Sequence, residues 1–111
     1  MNKVRISEII RNGGATLNKN GERVTFSDGF QVSRRDCSTL NAADVVKILD
    51  AMNSLLGEIS TNEFCGLWVE DDLIYIDVSE RISDRAEALR IGKARKQISI
   101  FDWSNGCYIY C

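Results

Sequence analysis

Alternation of hydrophobic and polar positions between residues 65 and 103 predicts a strand, a tight turn, a second strand, a helix and a third strand. The apolar run 66–69 and the β-branched and aromatic run 73–78 are the first two strands. Three consecutive carboxylates, residues 70–72, form the polar break between them. Residues 98–103 return to an extended pattern and predict the third strand.

The helix of this unit begins after a capping residue, Ser83 or Asp84, whose side-chain oxygen can accept from the free amides of the first turn. Glu87 strengthens this start signal, and the pattern ends near Lys96.

Arg95 falls on the apolar side of this helix, one turn after Ile91. A guanidinium on a core-facing stripe needs a partner, because an unpaired buried charge is very costly. Two interpretations follow. Arg95 forms an internal ion pair, with Asp77 or Asp102, or it lines a pocket that receives an anionic ligand.

The N-terminal part predicts a short helix over residues 3–12 and a three-stranded meander over residues 15–35. Asn20-Gly21 is a strong hairpin signal, and residues 27–29 form the next turn. In the strand that follows, Phe30 and Arg34 would share one face and Arg35 the other. Phe30 and Arg34 could stack a base and hold a phosphate, or could be a solvated strand end.

Asn41 is the expected cap of a longer helix over residues 42–58. Its apolar arc is broader than one sheet would cover. Either this helix is sandwiched on both sides, or it also contacts a partner subunit, which we favour. A turn at residues 104–106 and a last strand over residues 107–111 complete the pattern.

These elements predict an α+β fold, in which the N-terminal meander and the C-terminal strands form an antiparallel sheet packed with two to three helices. With 111 residues, a single domain spanning 1–111 is the natural expectation. No run approaches the length of a membrane span, and no N-terminal signal peptide is evident, so we expect a cytoplasmic protein.

The amino-acid composition reduces the number of function classes that fit the chain. The chain has 14 basic and 16 acidic residues, so a DNA or RNA polymer is not the expected partner. It has no His, the commonest general base and metal ligand, which argues against catalysis. The four cysteines have no paired spacing typical of zinc, and neighbouring carboxylates in a turn are usually solvated, so we expect no metal and no cofactor.

Arginine forks match phosphate geometry, and aromatic faces accept adenine, so binding without turnover fits the remaining side chains best. The candidate ligand-binding residues combine these guanidinium and aromatic groups with polar side chains that could read a base or ribose: Phe30, Arg34, Trp68, Asp77, Arg81, Arg85, Arg90, Arg95, Gln97 and Asp102.

Three segments carry a resemblance to a known family: GLWV at 66–69, YIDVS at 75–79, and the helix to Gln97 followed by IFD at 100–102. With these segments the chain resembles the Thoeris anti-defence family of phage-encoded, signal-sequestering proteins. The resemblance implies a sponge that binds cyclic ADP-ribose isomers, such as glycocyclic ADP-ribose, in the infected bacterial cell without cleaving them. It also implies a homo-oligomer, with dimers assembling into a hexamer as a trimer of dimers, and separate sites for the cyclic trinucleotides of CBASS immunity.

Two other hypotheses stay open. An inhibitor that binds a host nuclease, of the anti-CRISPR type, could use the acidic strip formed by residues 70–72, Asp77 and Glu80, although the balanced charge weakens nucleic-acid mimicry. A phosphodiesterase-type enzyme is the third hypothesis, which the lack of His disfavours.

Overall fold

The computed structural model describes residues 5–111, which form three helices and one six-stranded antiparallel sheet. The elements in chain order are α1 (Ile6–Asn12), β1 (Gly14–Leu17), β2 (Phe30–Asn41), α2 (Val45–Glu58), β3 (Phe64–Glu70), β4 (Leu73–Ile82), α3 (Arg85–Ala94), β5 (Ser99–Asp102) and β6 (Cys107–Tyr110). The strand order is β1-β3-β4-β2-β5-β6, and the predicted α+β class is confirmed. The predicted start of the first helix at Lys3 lies outside the described residues.

All three helices pack on one face of the sheet, in two apolar clusters. The larger cluster joins α1 and α2 to the sheet through side chains that include Ile9, Ile48, Ile74, Ile76 and Val78. The smaller cluster centres on Val32, Ala88 and Ile100 beneath α3. Val32 pairs with Glu80, two residues after Val78 on β4, so both clusters lie on the same side of the sheet. We call the other side, which no described helix covers, the open face.

Side-chain caps fix where two helices begin. Asp84 accepts from the backbone N–H of Glu87 at 2.8 Å and caps α3, as one of the two predicted alternatives. The predicted cap of α2 is wrong. Asp44 accepts from the Lys47 amide, whereas the Asn41 side chain accepts from Ala43 and shapes the turn before the helix.

The predicted three-stranded meander is not formed. The tight turn after β1 is present, because the Asn18 side chain accepts from the amides of Asn20 and Glu22. Beyond it the pairing within the described residues is limited to one bridge between Leu17 and Arg23, and β1 pairs instead with β3. Residues 25–28 leave the sheet, and Phe26 packs against aromatic rings on the open face.

β2 is much longer than predicted and is irregular at two points. Its register against β4 shifts between Ser33 and Arg35 and again between Asp36 and Ser38, which indicates β-bulges. The first bulge corrects the prediction that Arg34 and Arg35 point to opposite faces. Both guanidinium groups reach carboxylates on the helix-bearing side of the sheet, because the extra residue breaks the strict alternation.

The solvent side of α2 carries surplus apolar surface, as its broad arc indicates. Val45, Val46 and Leu49 are exposed, while Ile48 and Met52 are buried against the sheet. A partner subunit on this helix stays a prediction.

Candidate ligand-binding face

Side chains at alternate positions of β4 project onto the open face. Tyr75, Asp77, Ser79 and Arg81 share this side, because Ile74, Ile76 and Val78 point into the helix-side core. Their neighbours across the β3–β4 ladder give the face three paired rows: Trp68 beside Tyr75, Gly66 beside Asp77, and Phe64 beside Ser79.

Asp77 lies in the middle of this face and is strongly desolvated. Its carboxyl extends over Gly66, where any Cβ atom would clash with Asp77 Oδ1. Burial raises the pKa of Asp77 to about 7, and the negative charge of Asp36, its cross-strand neighbour on β2, adds to the effect, while the neighbouring hydroxyls of Ser79 and Ser33 oppose it. Asp77 Oδ1 and the Ser33 hydroxyl, both buried, have no hydrogen-bond partner among the described residues. The centre of the open face therefore holds unused hydrogen-bonding capacity, which is uncommon in a folded protein.

A short chain of hydrogen bonds braces the same face. The Thr16 hydroxyl donates to Gln31 Oε1 at 2.9 Å, and Gln31 Nε2 donates to the Ser79 hydroxyl at 2.8 Å. These bonds connect β1, β2 and β4 across the sheet. These small polar residues, together with Ser33 and Gly66, were not among the candidates predicted from the sequence. The only signal for them is the alternation of polar side chains with core residues along each strand.

A stacked aromatic pair lies next to Asp77. The rings of Trp68 and Tyr75 are 4.4 Å apart between centroids with an interplanar angle of 16°, and Trp68 exposes 37% of its surface. Tyr75 lies two residues from Asp77 on the same face, a separation of about 7 Å along a strand. An exposed aromatic ring at this distance from a carboxyl can stack a base while the carboxyl accepts from its donors.

A second aromatic group covers the other end of the open face. Edge-to-face contacts with centroids 5.0 to 5.5 Å apart connect Phe26, Phe64, Phe101, Trp103 and Tyr108. Burial raises the pKa of Tyr108, and the charge of Asp77 raises it further, so this ring lies within electrostatic range of the central carboxyl. The face is thus bordered by aromatic rings on two sides.

Arg81 is the predicted guanidinium group that reaches this face. Its Nε atom donates to the Asp28 carbonyl at 3.1 Å, its terminal nitrogen pairs with the Asp28 carboxylate, and its guanidinium lies 5.3 Å from the centre of the Phe26 ring. Asp28 is largely exposed, so this ion pair can exchange for another anion at small cost.

Two predicted arginines lie on the opposite side, in the gap between the two apolar clusters. Glu80 Oε2 is shared by Arg34 at 2.9 Å and Arg95 at 3.4 Å, and Arg34 also contacts Glu63 at 3.3 Å. Arg95 donates in addition to the Ser33 carbonyl. Of the two interpretations of Arg95, its contacts match the internal ion pair, although the partner is Glu80 and neither Asp77 nor Asp102.

Three further predicted residues lie on or beside α3. Arg85 and Arg90 are exposed on the helix surface, and Arg90 contacts Glu87 at 3.5 Å. Gln97 is half-buried just after the helix, and its backbone N–H donates to the Gly92 carbonyl. None of the three shares a surface with Trp68.

Phe30 and Asp102 face the helix side, where they have structural contacts. Phe30 packs against the smaller apolar cluster beneath α3. Asp102 is buried and accepts from the Asn105 side chain at 2.8 Å and from the Ser104 amide at 3.0 Å, which fixes the turn between β5 and β6. The Asn105 side chain holds the pKa of Asp102 below its usual range. The ten candidate residues therefore do not form one cluster, and the open face brings together Trp68, Asp77 and Arg81.

The acidic strip considered for a nuclease inhibitor is not one surface. Asp77 and Glu80 point to opposite faces of the sheet, and Glu80 is neutralised by two arginines. Within residues 5–111, no three His, Cys, Asp or Glu side chains are grouped to hold a metal ion.

A groove of about 280 Å³ lies between α2 and the bulged part of β2. It is lined by Arg35, Asp36, Cys37, Ser38, Ala51, Ser54, Leu55 and Glu58. Arg35 and Glu58 contact each other at 3.3 Å, and the lining contains no aromatic ring. The groove is therefore less suited to a base than the open face is.

Comparison with family models, curated proteins and solved structures gives no match. The resemblance to the Thoeris anti-defence family accordingly stays a prediction. No helix within the described residues combines the length and apolar character that crossing a membrane requires.

Proposed function

We propose that this protein binds a cyclic nucleotide signal on the open face and sequesters it intact. The observation that supports this most is the pairing of an exposed, stacked indole with a desolvated carboxyl whose Oδ1 atom has no partner. A base stacked on Trp68 would present its amino group or its ribose hydroxyls to Asp77.

The phosphate end of such a ligand would lie toward Arg81. Arg81 is four residues from Asp77 and six from Tyr75 on β4, or about 13 Å and about 20 Å along the strand, so a ligand that reaches both the Trp68 ring and Arg81 must be larger than a mononucleotide. A phosphate that replaced the exposed Asp28 carboxylate would keep the guanidinium paired. Cyclic ADP-ribose isomers, with an adenine and a diphosphate in one molecule, have this combination of groups.

Sequestration, as opposed to conversion, is the interpretation that the side chains favour. Asp77 is the group of the open face whose pKa is raised to about 7, and the chain has no His to complete a base and nucleophile pair. In this proposal the protein acts in the cytoplasm of an infected bacterial cell, where it lowers the free concentration of an immune signal. The homo-oligomer implied by the resemblance belongs to the same proposal.

Calorimetric titration with cyclic ADP-ribose isomers and cyclic trinucleotides tests the proposal. We expect Trp68→Ala to weaken binding about fivefold or more, because stacking on one aromatic ring contributes about 1–3 kcal/mol. Arg81→Ala should also weaken binding, whereas Arg95→Ala, which removes a guanidinium from the opposite side, should leave it unchanged. Val46→Ala is the control for loss of an exposed apolar side chain, since Val46 is 71% exposed on α2.

The fate of the ligand separates a sponge from an enzyme. Ligand released by denaturing the complex should have its original mass and retention time. Absence of heat with all of these nucleotides, unchanged binding by Trp68→Ala, or cleaved ligand accumulating over time would each contradict the proposal.

A further inference from the structure

The edges of the sheet are protected unequally. The outer side of β1 is occupied, because Arg23 bridges to Leu17 and the Val24 amide donates to the Thr16 carbonyl at 2.8 Å. The half of β2 that extends beyond β5 carries two bulges and charged side chains, two common protections against unwanted pairing. β6 has no bulge, no charge and no proline, and no residue between 5 and 111 pairs with its outer side.

The hydrogen-bond pattern identifies which backbone groups of β6 point outward. The Cys111 amide donates to the Ile98 carbonyl, so the hydrogen-bonded pairs with β5 continue at Ile100 and Ile109. In an antiparallel ladder these pairs alternate with residues whose amide and carbonyl point away. The outward groups of β6 therefore belong to Tyr108 and Tyr110.

The side chains along this edge are large, apolar and exposed. Tyr108 and Tyr110 are 56% and 79% exposed on the open face, and Ile98 is 79% exposed at the start of the neighbouring strand. Tyr108 also continues the second aromatic group through its edge-to-face contact with Phe101 at 5.2 Å. An uncharged edge of this kind can approach an identical edge without charge repulsion.

We propose that β6 pairs antiparallel with β6 of a second copy of this chain, about a two-fold axis at Ile109. In this register Tyr108 lies opposite the partner's Tyr110, and all four outward amide and carbonyl groups of each strand are satisfied. The cross-strand tyrosines then join the open faces of the two copies into one continuous surface.

The contact between two four-residue strands is small. It buries less than the roughly 1,200 Å² of a standard stable interface, so we expect a dimer that dissociates on dilution. The assembly does not depend on a nucleotide, and it is measured in the absence of one. Its failure would therefore leave the proposed ligand site untouched, and the reverse also holds.

Sedimentation velocity over a hundredfold range of protein concentration tests the interface. The wild-type mass should rise from 12.5 kDa to twice that value, or to a multiple of it where the dimers assemble further. Tyr110→Pro removes one outward N–H and is tolerated in a monomer, because proline is accepted where an edge N–H faces solvent. This variant should stay monomeric with an unchanged circular dichroism spectrum. Val46→Lys tests the competing contact through the exposed apolar surface of α2, and it should dimerise as the wild type does if β6 is the interface.

Native cysteines test the register itself. The two-fold pairing places Cys107 opposite the partner's Cys111 in a non-hydrogen-bonded pair, where Cα atoms are about 4.5 Å apart and a disulfide can form. Within one copy the two residues are about 13 Å apart along the strand, too far for a disulfide. Diamide, which takes up the two electrons and two protons of the thiols, should therefore produce a covalent dimer.

Single variants make this test specific. Cys107→Ser and Cys111→Ser should each fail to crosslink alone but should crosslink when mixed. If Tyr110→Pro does not fold, Tyr110→Lys replaces it, because the two lysines then lie on the same face as diagonal neighbours across the axis, about 7–8 Å apart, and repel each other. A wild type that is monomeric at every concentration, a dimer lost in Val46→Lys, or a crosslink between Cys107 residues in Cys111→Ser would overturn the proposal.

Discussion

Replacing Asp77 by Asn should stabilise the protein by an amount that grows from mild acid to neutral pH and is constant above it. The carboxyl extends over Gly66 with its Oδ1 atom unpartnered, and burial raises its pKa to about 7. Folding therefore favours the protonated form. Asn has the same shape and is neutral at every pH, so it removes the cost of the buried charge.

The sign follows from the proton balance. Between the unfolded value of 3.8 and the folded value of about 7, the folded protein holds a proton on Asp77 that the unfolded chain has lost. Stability consequently falls as pH rises through this window and is constant above it. Over the whole window the free energy of unfolding falls by at most about 4 kcal/mol, and about 2–3 kcal/mol of this loss occurs between pH 5 and pH 8.

Urea unfolding at pH 5, 6, 7 and 8 measures this difference. The free energy of unfolding of the wild type, relative to Asp77→Asn, should decline steadily and level off above pH 7. Asp36→Asn is the matched control, because it removes the exposed neighbouring charge but keeps the buried carboxyl. Curves for wild type and Asp77→Asn that run parallel from pH 5 to pH 8 would refute the reasoning, since Asp77 would then be ionised in the folded state at no cost.

Two further substitutions test contacts on either side of the sheet. Gly66→Ala should lower the free energy of unfolding by about 1–3 kcal/mol in urea titrations, because the added methyl group overlaps the Asp77 carboxyl; an unchanged urea midpoint would show that the carboxyl can move aside. Glu80→Ala should lower the free energy of unfolding by about 1–2 kcal/mol, since Arg34 and Arg95 both lose their shared partner. Arg95→Ala should cost less in the same assay because Glu80 keeps Arg34, and an equal loss would contradict the shared pairing.

Local patterns predicted the elements whose residues also pack locally. The sequence alone predicted the core stripe of α2, the cap and apolar side of α3, and the alternation in β3 and β4. Each of these patterns depends on one element packing against the core. The predicted ends of the helices were less accurate than their core-facing sides. Asp44 caps α2 in place of Asn41, since both residues offer a suitable side chain within one turn.

Long-range pairing was what the sequence could not predict. Ser33 to Asp36 form a polar run, yet they lie within β2 because β4 supplies their hydrogen bonds from more than 40 residues away. The bulge at Arg34 is defined by the pairing of β2 with β4, so the sequence of β2 alone predicts neither the bulge nor the side of the sheet to which Arg34 and Arg35 point. The candidate site shows the same limit. Trp68 and Asp77 were predicted from the chemistry of their side chains. Their grouping with Ser33 and Gly66 depends on the register of three strands, which the sequence does not give.

The division of the helix-side core into two clusters has a consequence for how the molecule opens. Twelve buried residues hold α1 and α2 to the sheet, whereas three hold α3, and the Glu80 ion pairs lie between the groups. Local opening costs less where fewer apolar contacts must break. We therefore expect α3 and the strands that follow it to open at a lower free-energy cost than the part of the sheet that α1 and α2 cover. Adjustment between neighbouring molecules would then cost only a fraction of global unfolding.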